Sequence, residues 1–235
     1  MLEGIMTREY VVFYLNGQRH EVRGEAVFKS VTDYFRYDLY LTGTKVVCAE
    51  GDCGACTVNL AQSQGDFRFR SVNSCILFVF QLDGCSVVTV EGLALEEKPH
   101  PAQEAMVKCF GSQCGFCTPG FIGSMAYLAD VSMETKKPID EKKARNFLTG
   151  NLCRCTGYEP ILQACKEMNL SGWESLQQRY GTSHIRRDLL QEISKPVKIV
   201  GKILELHLPV DIKIAAKLKN RNPELRLVAG ATDLG

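Results

Sequence analysis

Charge of one sign is what this sequence has least of. Among its 235 residues, 28 Lys and Arg face 27 Asp and Glu, leaving a formal net charge of +1. Bulk electrostatic attraction to nucleic acid or to an anionic membrane is thereby excluded. Apolar runs are short as well, far below the roughly 20 residues that span a bilayer. The run from Tyr10 to Leu15 is too brief for the apolar stretch of a secretory signal, and no small-residue cleavage site follows it. We therefore expect a cytoplasmic protein with neither nucleic acid nor membrane as partner. Histidine is scarce: His20, His100, His184 and His207 bear no metal-ligand spacing to one another. Apolar residues at 45% and charged residues at 23% exclude a disordered chain.

Cysteine is the exception, with eleven residues. A reducing cytosol keeps them as thiols, and full pairing of an odd number leaves one over. Metal ligation is the reading that remains.

The pattern along the chain predicts several domains. Residues 9–15 are β-rich and run into Asn16-Gly17, the dipeptide of a type I′ hairpin turn, so Gln18 to Val22 returns as a second strand. Ser30 with Asp33 three residues later reads as a helix N-cap. A glycine-bearing loop covers 42–56, and Thr57–Ala61, Phe67–Arg70 and Ser86–Val90 read as further strands. Together they make a small α+β domain over residues 8–94. From 95 to 169 the pattern turns helical. Ala102, Ala105, Met106, Cys109 and Phe110 share one face. Pro119, Asp140 and Pro160 open three more helices, giving an all-α four-helix bundle. Residues 170–195 are polar and weakly periodic, a linker. A new pattern starts at 196, and about 40 residues do not close a core alone. The chain is therefore expected to stop inside a third domain, 196–235.

Cys48, Cys53 and Cys56 follow the spacing C-x4-C-x2-C, and Cys75 follows after eighteen intervening residues. This is the plant-type 2Fe–2S ferredoxin pattern. Such a cluster with four thiolates is doubly negative, more so when reduced, and needs backbone N–H groups close to its sulfurs. Gly51 and Gly54 permit that approach. A structural zinc site is the alternative, but the spacing fits it poorly. The second group is Cys114 and Cys117, then Cys153 and Cys155 after 35 residues. The predicted helices bring these four thiols to one end of the bundle, with two helix N-termini pointing at them. Iron–sulfur is favoured, and a closed four-cysteine zinc site stays open on this group alone. Cys85, Cys109 and Cys165 read as small buried hydrophobes. No acid–base constellation stands out, so no catalytic residue is assigned.

With these residues in place, the chain resembles the molybdenum hydroxylase family, which includes xanthine dehydrogenase and aldehyde oxidoreductase. The matching stretches are Gly43-Thr-Lys-Val-Val-Cys48 through Val58, Asn73-Ser-Cys75, Gly111-Ser-Gln-Cys114-Gly-Phe-Cys117 and Gly150-Asn-Leu-Cys153-Arg-Cys155-Thr-Gly-Tyr. Two cluster motifs in this order over residues 8–168 make the likeness specific. It implies a β-grasp ferredoxin-like domain followed by a helical 2Fe–2S domain, as in the iron–sulfur/FAD small subunit of a bacterial xanthine dehydrogenase. It also implies electron relay from a molybdenum–pterin cofactor on a large partner chain, through two 2Fe–2S clusters, to FAD and then NAD. An iron–sulfur subunit of an aldehyde or carbon monoxide oxidising relative is the runner-up, and a zinc adaptor the reading from another class. By resemblance Gln113 contacts the pterin. Leu227, Val228, Ala229, Gly230, Ala231, Thr232, Asp233 and Leu234 resemble the flavin pyrophosphate loop. FAD would be held only with the rest of its domain, in a heteromeric, dimerised assembly. Two positions depart from the family: Val47 stands where Gly is usual, implying strain if its φ is positive, and Phe110 stands where His is frequent.

Overall fold

The computed structural model describes residues 7–232. β1 (Val11–Leu15) is buried along its whole length because it lies inside a mixed sheet. It pairs antiparallel with β2 (Gln18–Val22) through Asn16 and Gly17, whose φ of 51° and 82° are those a type I′ turn requires. On its other side it runs parallel to β5 (Cys85–Val88). β5 pairs antiparallel with β3 (Thr57–Gln62), and β3 with β4 (Arg70–Asn73). α1 (Val31–Asp33) is opened by Ser30, whose hydroxyl accepts from the Asp33 N–H at 3.0 Å, and it runs on into a π-helical turn over Tyr34–Asp38.

Strand alternation sends side chains to two different cores. Val11, Phe13 and Leu15 pack with Val27, Val31 and Phe35 on one face of the sheet. Tyr14, from the same strand, joins Phe121, Met125 and Leu128 on the other. β3 and β5 divide likewise, with Val58 and Val87 one way and Ala61 and Val88 the other. The second core is enclosed by α2 (Pro101–Lys108), α3 (Thr118–Thr135), α4 (Glu141–Leu148) and α5 (Glu159–Glu167). Each of these helices packs on the next, and α5 returns to α2. Sheet and helices thus share one apolar interior. Among the described residues no helix is long and apolar enough to cross a membrane.

Several elements differ from the sequence expectation. β4 starts at Arg70 rather than Phe67, because Phe67 and Phe69 turn into the helical core, Phe67 with a left-handed φ of 51°. β5 ends at Val88, and Val90–Gly92 coils into a 3-10 turn. α2 stops at Lys108. Phe110 then takes φ 54° and stands 83% exposed instead of facing inward, and Cys109 is only partly buried.

The stretch 170–195 is more than a tether: it forms α6 (Leu176–Tyr180) and α7 (Ser183–Ile193). Leu176, Ile185 and Leu189 are buried in the second core, and polar contacts anchor the segment as well. The Arg179 guanidinium donates to the carbonyls of Gly92, Leu93 and Ala94, and that of Arg186 to those of Ser63 and Gly65. Asp130 of α3 accepts the N–H groups of Leu176 and Gln177. Contacts of this kind leave little hydrophobic period to read. Beyond them, β6 (Val197–Val200) and β7 (Glu205–Leu208) form a hairpin that buries Val197 and Ile199 in the first core. β6 is stitched to Arg8, whose buried guanidinium makes a bidentate pair with Asp83 at 2.8 and 2.9 Å. α8 (Ile212–Arg221) buries no residue.

His100 caps α2 from the interior. Its Nδ1 accepts the Ala102 N–H at 3.1 Å, and its ring meets Trp173 edge-on at 5.3 Å. Burial, helped by the Arg179 charge, lowers its pKa to about 4. The fold therefore favours the neutral ring. That stability is complete above the unfolded value near 6.5 and is lost as pH falls toward 4. Asp130, pushed up to about 6 mainly by burial, slopes the opposite way. We expect His100→Asn, which keeps a capping acceptor, to remove an acid-side loss of up to about 3 kcal/mol. Denaturation of both proteins between pH 6.5 and 4 checks this, and parallel curves would refute it.

Candidate metal centres

The first thiol loop is pinned from below. Arg36 donates to the carbonyls of Thr42 and Thr44 at 2.8 and 2.7 Å, and the Gly43 N–H donates to Glu91 at 2.8 Å. The Cys53 N–H points at Cys48 Sγ from 3.4 Å. Burial pushes the Cys48 thiol up, but the N–H groups of Glu50, Cys53 and Asp52 outweigh it and hold the thiol at about 7. Val47 does not take a positive φ, so the expected strain is absent there; the left-handed residue is Ala49, two positions on, at 60°.

Sheet register delivers the fourth thiol. Thr57 pairs with Asn73, so the residues flanking them, Cys56 and Ser74, also meet. The Ser74 hydroxyl and N–H both donate to the Cys56 carbonyl, at 2.7 and 3.3 Å. Asn73 Nδ2 donates to the Gly51 carbonyl and ties β4 to the loop. Cys75 then lies against Cys56, and burial together with the Cys56 thiol raises it to about 12. The loop thus sets the Cys53 N–H on Cys48, while the strand register sets Cys75 beside Cys56.

At the second group Cys117 is the N-cap of α3, and Cys153 and Cys155 lie in the turn before α5. Cys114 and Cys155 form one pair at the surface, and Cys117 and Cys153 another beneath it. The Phe116 N–H lowers Cys114, whereas burial and then Cys153 raise Cys117 to about 12. Thr156 Oγ1 lies 3.2 Å from Cys153 Sγ, and the Cys153 N–H donates to the Tyr158 hydroxyl at 3.0 Å. Tyr158 holds that position with φ 70°.

A mononuclear zinc site draws four donors round one point. A dinuclear iron centre takes four cysteines over two irons, and each of the two places offers four free thiols. The donor set fits a 2Fe–2S cluster at both places.

The other expected site residues are less gathered. Gln113 is exposed beside Cys114. Leu227, Val228, Ala229, Gly230 and Thr232 are exposed, Ala231 is buried with φ 60°, and Asp233 and Leu234 lie outside the described residues. The Gly230 carbonyl accepts from Gln81 Nε2 at 3.1 Å. Cys85 and Cys165 are fully buried. Sequence reasoning missed Asn151, Ser74 and Thr156 as partners of the thiol loops. Only their nearness to a cysteine, next to it for Ser74 and Thr156 and two residues before it for Asn151, hinted at them.

Comparison with known proteins agrees with this geometry. Residues 89–166 match the family described as a 2Fe–2S binding domain. Xanthine dehydrogenase of Blastobotrys adeninivorans is 43% identical over 157 residues, 66% of this chain and 11% of that protein. Quinoline 2-oxidoreductase from Pseudomonas putida 86 is 27% identical with a TM-score of 0.58, covering 80% of this chain and 97% of that one. Aldehyde oxidoreductase from Desulfovibrio desulfuricans ATCC 27774 is 31% identical with a TM-score of 0.59, covering 74% and 18%. The chain spans about a tenth of the xanthine dehydrogenase it matches. Its homologues are molybdenum hydroxylases of the xanthine dehydrogenase and aldehyde oxidase type, and it is similar to their iron–sulfur part.

The two thiol loops meet backbone to backbone. A Cβ on Gly120, in the first turn of α3, would fall on the Gly54 carbonyl oxygen and crowd Ala55 Cα. Nothing there can move aside, since both partners are main chain. Gly120→Ala is expected to destabilise the protein by about 1–3 kcal/mol. Alanine at Gly150, where a Cβ meets nothing within 4 Å, serves as control in the same denaturation series. Equal stability of the two variants would contradict the close contact.

Proposed function

We propose that this chain is the one-electron relay of a xanthine dehydrogenase-like molybdenum hydroxylase. Cys48, Cys53, Cys56 and Cys75 would hold one 2Fe–2S cluster, and Cys114, Cys117, Cys153 and Cys155 a second. The observation that carries the reading is the match of residues 89–166 to a 2Fe–2S binding domain, together with the β3–β4 register that brings Cys75 to Cys56 and the Cys53 N–H on Cys48 Sγ. When bound, such clusters supply one-electron oxidation and reduction. The chain's own residues do the rest. N–H groups of Glu50, Asp52, Cys53 and Phe116 donate toward sulfur and favour the anionic state. The N-terminus of α3 at Cys117 adds partial positive charge.

The second site lies at a surface with exposed Val107, Phe110, Phe116 and Leu152. An apolar rim of that kind suits the docking of a large molybdenum-cofactor chain, with exposed Gln113 turned to the pterin. Electrons would enter there, pass to the first site, and leave to FAD and NAD. Residues 196–235 would begin the flavin domain, which accounts for a hairpin and a helix that enclose no core of their own. The flavin itself would need the remainder of that domain. The relay is the same whichever purine or aldehyde the molybdenum chain oxidises. The assembly would be heteromeric, dimerised and cytoplasmic.

Anaerobically purified protein is expected to contain about four iron and four sulfide per chain. Zinc in their place would refute the reading, and half the iron would remove one cluster. Cys53→Ser is expected to perturb one EPR-active centre and leave the other. Loss of both signals in folded protein would contradict two separate centres.

A further inference from the structure

Between the two thiol sites lies a buried polar knot centred on Asn151, which belongs to neither cysteine set and is 4% exposed. Its Nδ2 donates to the Gly54 carbonyl at 2.9 Å and to Thr57 Oγ1 at 3.3 Å. Its Oδ1 accepts from the Ser124 hydroxyl at 2.6 Å, and its backbone N–H donates to the Leu148 carbonyl at 3.0 Å. Both amide donors and the amide acceptor are therefore engaged, by three separate elements. A buried amide satisfied in this way fixes orientation, because any displacement orphans a polar group. The next residue, Leu152, donates its N–H to the Cys53 carbonyl at 2.9 Å. Cys53 and Cys153 are thus joined by main-chain bonds and a single hydrogen bond. Gly54 leaves no slack beside it: a Cβ there would strike the Gly150 carbonyl and the Asn151 amide.

We propose that Asn151 is a positioning residue for electron exchange between the two sites. By clamping the Gly54 carbonyl it keeps the Leu152 N–H on the Cys53 carbonyl, and so fixes both the separation of the sites and the bonded route between them. This rests on the reading of both sites as 2Fe–2S clusters. One electron leaves the second cluster as one is gained by the first. No bond is made or broken, and no proton moves at the knot.

The test uses the full chain loaded with iron and sulfide, reduced chemically and examined by low-temperature EPR. In the parent protein the two reduced centres are expected to split each other's signals. Asn151→Ala is expected to change that splitting while each centre keeps its own g values, which a general loss of structure would not preserve. Leu152→Pro removes the N–H donor from an exposed, non-helical residue, at the added cost of fixing its φ and restricting Asn151 before it, and is expected to weaken the splitting as well. It decides the matter should Asn151→Ala fail to fold. Faster hydrogen exchange of the Leu152 amide in Asn151→Ala is a second expected result, independent of the clusters. Unchanged splitting in loaded variants, no splitting in the loaded parent, or unchanged amide protection overturns the positioning role and leaves the cluster reading intact. An iron content well below about four per parent chain overturns that reading and this proposal together.

Discussion

Four thiolates crowded round one centre concentrate more negative charge than a protein interior accepts, unless donors face them. Most of the local architecture answers to that requirement. Glu50, Asp52 and Cys53 turn their N–H groups onto Cys48, and the Phe116 N–H does the same for Cys114. Main chain supplies these donors, so main chain must lie very close to sulfur. Closeness of that order propagates outward. The loop carrying Gly54 rests directly on the first turn of α3 at Gly120, where no side chain fits. The two thiol sites are consequently built on one contact surface.

The sheet explains why that surface is rigid. Its strands carry apolar residues on both faces, so each face needs a cover. Val27, Val31 and Phe35 close one face, while the helices close the other through Phe121, Met125 and Leu128. Removing the helical part would expose Tyr14, Ala61 and Val88 together. α6 and α7 then lock the seam from outside, with Arg179 and Arg186 gripping carbonyls that face them from the sheet side. Those contacts are directional and cost little apolar area, which suits a segment connecting one folded unit with the next.

Much of this was legible in the chain itself, and the reasons are local. Asn16-Gly17 announces its turn because few other pairs tolerate two left-handed residues. Ser30, Asp140 and the prolines at 119 and 160 mark helix starts, because the first turn needs an acceptor or tolerates a missing donor. The misreadings share a different cause. Phe67 and Phe69 look like strand residues, yet their partners come from α3 across the seam. Phe110 fits the inward helical period, but the helix ends before it and a left-handed residue swings it out. Residues 170–195 bury Leu176, Ile185 and Leu189 in the core but are held as much by guanidinium-to-carbonyl bonds, which carry no apolar period. Asn151 is invisible for the same reason, since an asparagine two residues before a cysteine is ordinary until its three side-chain partners are known.

Covalent spacing alone decided which eight thiols are available and that they fall into two sets. It also decided that each set sits among glycines and helix starts, because those signals depend on neighbours along the chain. What tertiary structure decided is which thiol pairs with which. Cys75 meets Cys56 only because β4 registers on β3, and Cys153 meets Cys117 only because the turn before α5 returns to the start of α3, where Tyr158 meets Phe121. The distance between the two sites is likewise a tertiary quantity. It depends on backbones nearly a hundred residues apart approaching within one hydrogen bond at Asn151 and Gly54. Local sequence specifies conformation over a turn or two, whereas contacts between remote segments exist only once the core between them has closed.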